Sequence, residues 1–281
     1  MKKVVIDSIE FEDFSGVRKC LKKYLFNPLI NYVLPPEFLK KVLRGSKSDL
    51  AKESLVSPGS WKSMQISYDN ESPKDFIDKI VLQLGSFPVG LRNRHKIVVA
   101  KMSDLIKRYK DKEMILIVGI GAGRAFNAMK AMKESGLGNV SGYFVDIDDA
   151  AFEPGKQIAK SLGLADKVKY IKGDAKNLGD MLPKEADILK LIGIIEYLDD
   201  EQVLNILKIG YKNLCKGGTV ITHSIQPTHG IDPFLRNVFG LYLKYRTVED
   251  VKGLLKKSGF SIIDVTPEPL GIYEVIRAEK K

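Results

Sequence analysis

The stretch ILIVGIGAGRAF, residues 115–126, joins an apolar run to three glycines at alternate positions and then to residues that suit a helix. Glycine costs conformational entropy and adds no side-chain packing, so Gly119, Gly121 and Gly123 indicate a tight turn or a close approach to the backbone. A strand, a glycine-rich loop and a helix in this order can hold an anionic or polar ligand over a helix N-terminus. The dinucleotide-binding fingerprint would need a further glycine where the chain has Arg124, so the loop alone does not identify the ligand.

From Met114 onward, short apolar segments alternate with segments of helical periodicity. Strands are predicted at 114–118, 141–146, 168–172, 187–193, 218–224, 260–266 and 271–278. Helices are predicted at 123–135, 150–162, 175–182, 200–214 and 247–258. This alternation predicts an α/β fold with a doubly wound, mostly parallel seven-stranded sheet. The last two strands are joined by only TPEPLG, which is too short for a parallel crossover and predicts a C-terminal antiparallel hairpin.

The chain before this sheet is predicted to be mainly helical. Helices are predicted at 17–26, 36–45, 73–84 and 97–109. Residues 45–73 are rich in Ser, Gly, Asp and Asn and are predicted to form a long connection, and residues 85–95 form a turn-rich segment. We therefore divide the chain into a helical N-terminal cap or substrate region, residues 1–110, and a sheet domain, residues 111–281.

The composition is that of an ordinary globular protein, with 44% hydrophobic and 28% charged residues. No apolar stretch is long enough to span a bilayer, and the N-terminus has no signal-peptide pattern, so no membrane partner is expected. Cys20 and Cys215 lie far apart and form neither a metal-ligand spacing nor a disulfide framework. A cytoplasmic location without a bound metal is predicted.

The positive charge is unevenly distributed along the chain. The net charge is +10, of which residues 1–110 contribute +9 and residues 111–281 contribute +1. One interpretation is an anionic partner such as nucleic acid or a charged substrate, and the other is a lysine-rich solvated surface.

Acidic residues end two of the predicted strands. Asp146 ends SGYFVDID, where a carboxylate can accept hydrogen bonds from both hydroxyls of a ribose. Asp174 ends the next strand, where it can contact an adenine edge or cap the following helix. Asp148 suits the N-cap of the helix after Asp146 better than Asp146 does, which leaves Asp146 for a ligand.

Six motifs together carry a family resemblance: VGIGAG, GYFVDID, KGDAKN, ADILKLIGIIEYL, NLCKGGTVI and the closing hairpin. In this order and spacing they resemble the class I (Rossmann-like) S-adenosylmethionine-dependent methyltransferases over about residues 100–281. The resemblance implies S-adenosyl-L-methionine as the cofactor and a Rossmann-like domain over residues 111–281. It is specific to the superfamily and not to a substrate.

The resemblance also implies which residues contact the cofactor. The cofactor-binding residues would be Gly119, Gly121, Gly123, Asp146, Ile147, Asp174, Ala175, Ile192 and Gly193. The chain departs from the family at Ile117, where members commonly have an acid two residues before the first glycine. Arg92 or Glu196 would then supply a polar group at the amino-acid end of the cofactor.

Methyl transfer from a sulfonium is an in-line displacement, so the protein mainly aligns the acceptor and excludes water. A general base is needed only when the acceptor is protonated and weakly nucleophilic. Ligands of open α/β sheets lie beyond the strand ends, so the candidates are Glu196 and Tyr197 after the fourth strand and His223 on the fifth. A structural role is the alternative for His223, and His229 lies in the loop beyond it.

Two segments could contact the acceptor. Residues 233–247 are aromatic and basic at roughly helical spacing, which predicts either a lid or an ordinary amphipathic helix. Arg92, Arg94 and His95 would either meet an anionic acceptor or pair with acids at the surface.

The segment GIIEYLDD resembles small-molecule methyltransferases, because it lacks the Asn/Asp-Pro-Pro-Tyr and Pro-Cys patterns of members that methylate amide nitrogens or pyrimidine carbons. The sequence therefore predicts a methyltransferase acting on a small-molecule acceptor, which is anionic if the basic residues bind it. The alternatives are an RNA methyltransferase that uses the basic N-terminal region, and a transferase of the aminocarboxypropyl group or a sensor of the same cofactor. No oligomeric state is predicted.

Overall fold

The computed structural model describes residues 2–281, and the chain forms two compact units that are interleaved in sequence. The helical unit comprises the chain up to Lys96 together with Ile225–Tyr245 and Pro267–Tyr273. The sheet unit comprises Ile97–Ser224, Arg246–Thr266 and Glu274–Lys281. The boundary predicted from the sequence is a single one, at residue 110, and the role of the N-terminal region as a substrate region stays a prediction.

The strands and helices of residues 2–281 are numbered in chain order. The strands are β1 (Lys2–Ile6), β2 (Ile9–Asp13), β3 (Ile115–Ile120), β4 (Val140–Asp146), β5 (Val168–Lys172), β6 (Ala186–Lys190), β7 (Leu214–Ile225), β8 (Ser261–Pro267) and β9 (Tyr273–Glu279). The α-helices are α1 (Gly16–Leu21), α2 (Pro36–Gly45), α3 (Asp49–Val56), α4 (Trp61–Asp69), α5 (Phe76–Asp78), α6 (Ser86–Arg108), α7 (Phe126–Ser135), α8 (Phe152–Ser161), α9 (Leu178–Met181), α10 (Asp200–Asn213), α11 (Ile231–Phe234) and α12 (Val248–Lys257). Wider π-helical turns extend α1, α5 and α11 and also form Leu29–Val33.

The main sheet has seven strands in the order β5-β4-β3-β6-β7-β9-β8. Strand β3 pairs in parallel with β4 and β6, and β4–β5 and β6–β7 are parallel as well. All six residues of β3 are buried, because a central parallel strand is covered on both faces and therefore reads as a continuous apolar run.

The last strand of the chain, β9, runs antiparallel to β7. Gly217 donates to the Lys280 carbonyl at 2.7 Å and Lys280 donates to the Gly218 carbonyl at 2.9 Å, so the start of β7 meets the end of β9. This arrangement confirms the predicted fold class, a mostly parallel seven-stranded α/β sheet with a C-terminal antiparallel hairpin.

The prediction of a long connection over residues 45–73 is wrong. The segment contains α3 and α4, and each begins at a serine: the Ser48 hydroxyl accepts from the Ala51 amide and the Ser60 hydroxyl accepts from the Ser63 amide. Serine competes with the backbone for hydrogen bonds and so suits both loops and helix N-caps. Its abundance here reflects caps.

The N-terminal region differs from the prediction at two further places. Strands β1 and β2 form an antiparallel hairpin that the sequence did not predict, because its two-residue turn is Asp7-Ser8 and not Asn-Gly. Residues 85–95, predicted as turn-rich, lie almost entirely within α6. Pro88 is tolerated there because it lies in the first turn of the helix.

In the part of the chain that the structure describes, no helix combines the length and the apolar character needed to cross a membrane. The cytoplasmic location stays a prediction.

Candidate active site

The glycine loop follows β3 and leads into α7. The backbone is left-handed at Gly121 (φ 58°), Gly123 (φ 50°) and Ala125 (φ 55°). Left-handed φ is strained for residues with a Cβ, so this repeated conformation explains the glycines at 121 and 123. Gly119 has no such φ, and its glycine needs a different reason.

Side chains of the protein itself come close to two of the glycines. A Cβ built on Gly121 would lie 2.5 Å from Ile194 Cδ1, and one on Gly119 would lie 3.2 Å from Phe144 Cδ1. Ile194 therefore packs directly on the loop backbone. The glycines at 119 and 121 make room for protein side chains as well as for any ligand.

Asp146 at the end of β4 is tied to the glycine loop. Its Oδ2 accepts from the Gly123 amide at 2.9 Å, and its Oδ1 accepts from the Asp148 amide at 3.1 Å. Each carboxylate oxygen can accept a further hydrogen bond. The carboxylate is thus fixed in orientation and retains the capacity to accept from two hydroxyls. Asp148 accepts from the Ala150 amide at 2.9 Å, in the turn before α8.

The end of β5 lies beside the end of β4, because the Gly173 amide donates to the Asp146 carbonyl at 2.9 Å. Asp174 caps the short 3-10 turn Ala175–Asn177 by accepting from the Lys176 amide, yet its side chain remains 53% exposed. The large apolar side chain of Ile147, which directly follows β4, is 74% exposed. An exposed apolar surface thus adjoins the tethered carboxylate.

Ile192 and Gly193 follow β6. Ile192 is buried and Gly193 has a left-handed φ of 83°, which turns the chain so that Ile194 meets Gly121. The ends of β3, β4, β5 and β6 therefore bring the predicted cofactor residues to one edge of the sheet.

Of the three predicted catalytic residues, two are in contact. His223 Nε2 lies 3.3 Å from Glu196 Oε1, and both side chains are almost completely buried. Tyr197 is 39% exposed. The structure thus pairs Glu196 with His223 in the interior, and Tyr197 is the member of the three that reaches the surface.

Arg246 is a residue that the sequence analysis did not single out. Its guanidinium donates to the carbonyls of Ile195 at 2.6 Å and Leu198 at 2.7 Å, and to the Asp200 carboxylate at 2.8 Å. Arg246 therefore holds the turn that carries Glu196. Its contacts join positions almost fifty residues apart, so no local pattern could have revealed them.

Lys190 was also missed, because it lies within an otherwise apolar strand. It is 2% exposed and pairs in register with Gly119 on β3 and with Ile221 on β7. Lys190 is therefore a buried basic residue on a strand that borders β3 and β7.

In the helical unit, Arg92 pairs with an acid. Arg92 Nε lies 2.8 Å from Glu12 Oε1 and its Nη2 lies 2.7 Å from Glu12 Oε2, while Nη1 donates to the Leu82 carbonyl at 3.0 Å. Burial alone would raise the pKa of Glu12, but the hydrogen bonds and charge of Arg92 outweigh it and hold that pKa below its usual value. Of the two alternatives that the sequence left for Arg92, the structure shows the pairing with an acid.

The neighbours of Arg92 also pack within the helical unit. The Arg94 guanidinium lies 4.5 Å from the Tyr273 ring centroid, and His95 stacks on Tyr68 at 4.8 Å. The predicted helix over residues 233–247 is helical only as far as Phe239.

Three solved structures illustrate the likeness of this fold to known proteins. One is a possible exported protein from Bordetella parapertussis (TM-score 0.72, 15% identity, covering 95% of this chain and 97% of that one). Another is magnesium protoporphyrin IX methyltransferase from Synechocystis PCC 6803 with bound SAH (TM-score 0.58, 13% identity, covering 86% of this chain and 99% of that one). A third is an O-methyltransferase family 2 protein from Planctomyces limnophilus in complex with apigenin (TM-score 0.51, 13% identity, covering 99% of this chain and 100% of that one).

At sequence identities of 13–15%, these similarities show a shared fold and no more. Comparison with curated protein sequences gives no match. A family profile described as "Putative methyltransferase" matches residues 70–280, which is well over half of the chain. The chain therefore belongs to this methyltransferase family, in agreement with the resemblance to class I S-adenosylmethionine-dependent methyltransferases.

Proposed function

We propose that the protein transfers a methyl group from S-adenosylmethionine, bound at the glycine-loop edge of the sheet, to a small-molecule acceptor. The observation that carries the proposal is the Asp146 carboxylate, which is tied to the Gly123 amide and adjoins the exposed Ile147 side chain. A fixed carboxylate suits two vicinal hydroxyls, and an exposed apolar side chain suits the face of an aromatic base. These groups fit an adenosine.

The residues that would hold the cofactor come from four strand ends. Asp146 accepts from the ribose hydroxyls, Ile147 packs on the adenine, and Asp174 and Ala175 contact its edge. Gly119, Gly121, Gly123, Ile192 and Gly193 line the ribose and methionine side. When bound, the cofactor supplies a methyl group activated by its sulfonium.

Ile117 leaves no carboxylate at the start of the loop for the amino group of the cofactor. Lys190, the register partner of Gly119, is a buried basic residue on the neighbouring strand.

The acceptor side of the site rests on Glu196, Tyr197 and His223. The buried Glu196–His223 pair, with Arg246, fixes the turn that presents Tyr197. In this proposal the Tyr197 hydroxyl is the group that contacts the acceptor, and the Glu196–His223 pair acts by holding the Tyr197 turn in position. We expect Y197F, E196Q and H223Q to lower product formation while affinity for S-adenosylhomocysteine changes less than threefold.

The cofactor assignment is tested by calorimetric titration of S-adenosylmethionine and S-adenosylhomocysteine, with NAD as the unrelated nucleotide. The isosteric variant D146N loses one acceptor for a ribose hydroxyl, and D166N removes an exposed carboxylate before β5. We expect the wild type and D166N to bind both sulfur nucleosides with micromolar affinity, and D146N to bind them at least about tenfold more weakly. We expect no binding of NAD. Equal binding to D146N and D166N, or no binding to the wild type, would contradict the assignment.

Product analysis separates the alternative reactions of the same cofactor. Methyl transfer releases S-adenosylhomocysteine, whereas aminocarboxypropyl transfer releases methylthioadenosine. We expect S-adenosylhomocysteine as the product. RNA as the acceptor would show itself by RNA binding that weakens steeply with rising salt.

A further inference from the structure

The helical unit contains a cavity of about 470 Å³, within the size range of sites for small organic ligands. Most of its lining is apolar. Six phenylalanine side chains contribute to it: Phe14, Phe26, Phe76, Phe87, Phe234 and Phe239. The last two belong to residues 233–247, so this segment lines the cavity.

The charged lining residues of the cavity are cationic. Arg18 and Lys22 line it, together with His229, and no Asp or Glu does. Lys22 Nζ donates to the Leu84 carbonyl and lies 4.2 Å from the Phe14 ring centroid. Among residues 2–281, no carboxylate forms an ion pair with Lys22.

The ammonium of Lys22 is held in surroundings that disfavour its charge. Burial lowers the pKa of Lys22 from 10.5 to about 8. A buried charge is costly unless an opposite charge accompanies it. A ligand with an anionic group would supply that charge.

Two further polar atoms at the cavity lack partners. The Ser86 hydroxyl and the Asn31 amide oxygen are buried and have no hydrogen-bond partner among the described residues, and both residues line the cavity. Ser86 is only 6% exposed. Buried polar groups are almost always hydrogen-bonded, so these two atoms indicate a ligand with a polar substituent.

We propose that this cavity is a binding site for a small aromatic molecule that carries a polar substituent and one anionic group, which meets the Lys22 ammonium. The phenylalanines pack on the aromatic body, Lys22 neutralises the anion, and Ser86 and Asn31 bond to the polar substituent.

The first test uses two fluorescent probes of nearly equal shape on the full chain without cofactor. One is 1-anilinonaphthalene-8-sulfonate, and the other is N-phenyl-1-naphthylamine, which lacks the sulfonate. The wild type is expected to bind the sulfonate about tenfold or more tightly than the neutral probe, because a charge-assisted contact is added.

Lys22 and its neighbour Lys23 form a matched pair of variants. Lys23 is exposed and stacks on Tyr24 outside the cavity lining. K22M is expected to abolish the preference for the sulfonate while the neutral probe still binds, K22R to restore it, and K23M to leave it unchanged. M64W is expected to weaken both probes, because Met64 lines the cavity.

An equal loss of both probes in K22M, a preference that survives in K22M, or no preference in the wild type would overturn the anion site. Thermal melting shows whether each variant is folded. The cofactor assignment is tested separately, by titration of S-adenosylhomocysteine. A failure of the anion site can therefore be told apart from a failure of the cofactor assignment.

The second test replaces the dyes by candidate ligands. Hydroxylated aryl carboxylic acids and their neutral amides are titrated against bound 1-anilinonaphthalene-8-sulfonate, and its fluorescence is measured. We expect the acids to displace the dye at concentrations at least about tenfold lower than the amides. Equal displacement by acids and amides would overturn the anionic ligand class.

Discussion

The glycine-loop edge and the cavity of the helical unit solve the problem of binding a small molecule in different ways. At the edge, the backbone does most of the work: left-handed φ angles at Gly121 and Gly123 and one amide hold the Asp146 carboxylate. In the cavity, side chains from distant segments converge, and a single ammonium group stands among phenylalanines. Backbone geometry leaves a local signature in the sequence, and a converging set of side chains does not.

The two regions also differ in charge. The edge presents carboxylates, which accept from hydroxyls, whereas the charged groups of the cavity lining are cations. Arg18 and Lys22 belong to the excess of basic residues in 1–110, so part of that excess lines the cavity. Each of the following predictions perturbs one region and uses a matched position as the reference.

The largest effect is expected for G121V. A side chain at position 121 would be strained by the left-handed φ and would also clash with Ile194. Gly136 has a left-handed φ of 72° as well, but the space around it is open. G121V should lower the free energy of unfolding by about 3 kcal/mol or more and abolish S-adenosylhomocysteine binding, because the clash adds to the strain. G136V should cost about 1–2 kcal/mol and leave binding intact. Urea unfolding and calorimetry measure both, and equal losses would contradict the close approach of Ile194.

A smaller effect is expected for R246Q. The variant leaves the carbonyls of Ile195 and Leu198 short of a donor and should cost about 2–3 kcal/mol of stability. Product formation should fall more than S-adenosylhomocysteine affinity, because the turn that carries Glu196 and Tyr197 loosens. R236Q breaks a more exposed pair with Asp232 and should cost less than about 1 kcal/mol. Equal stability of the two variants would contradict the role of Arg246.

The smallest effect is a pH dependence from Lys22. Between pH 8 and 10.5 the unfolded chain keeps the Lys22 proton and the folded chain has lost it, so the stability of the wild type relative to K22M rises with pH. Thermal melting from pH 7.5 to 9.5 should show the difference in Tm moving by roughly 2 °C or more in favour of the wild type.

Other titrating and charged groups lie near Lys22 and are common to both proteins in that comparison: Arg18, Lys19, Asp13 and His229. Their contributions cancel when the Tm of K22M is subtracted from the Tm of the wild type at each pH. A constant difference in Tm across the range would mean that the Lys22 ammonium is not held in a desolvated place.

The sheet was predictable because its strands are continuous apolar runs covered on both faces, as β3 shows. The edge residues were predictable for a related reason: parallel strands end together, so the carboxylates of Asp146 and Asp174, at the ends of β4 and β5, lie at the same edge of the sheet as the glycine loop. The sequence did not reveal that Asp146 binds the Gly123 amide, since that hydrogen bond joins two strand ends.

The helical unit was less predictable, because its signals are ambiguous or non-local. Serines before α3 and α4 read equally well as loop residues or caps, and the Asp7-Ser8 turn lacks glycine. The sequence left two alternatives for Arg92, an acceptor contact or an ion pair, and its bidentate pair with Glu12 decides for the second. The pairing of Lys22 with a phenylalanine-lined cavity joins segments two hundred residues apart and has no sequence motif.

The most direct test of two chemically distinct sites on one chain is a crossed titration. S-adenosylhomocysteine and 1-anilinonaphthalene-8-sulfonate are each titrated into the wild type, D146N and K22M. The account predicts that D146N loses affinity only for the nucleoside and K22M only for the sulfonate. A variant that loses both ligands while folded, or a wild type that binds neither, would contradict it.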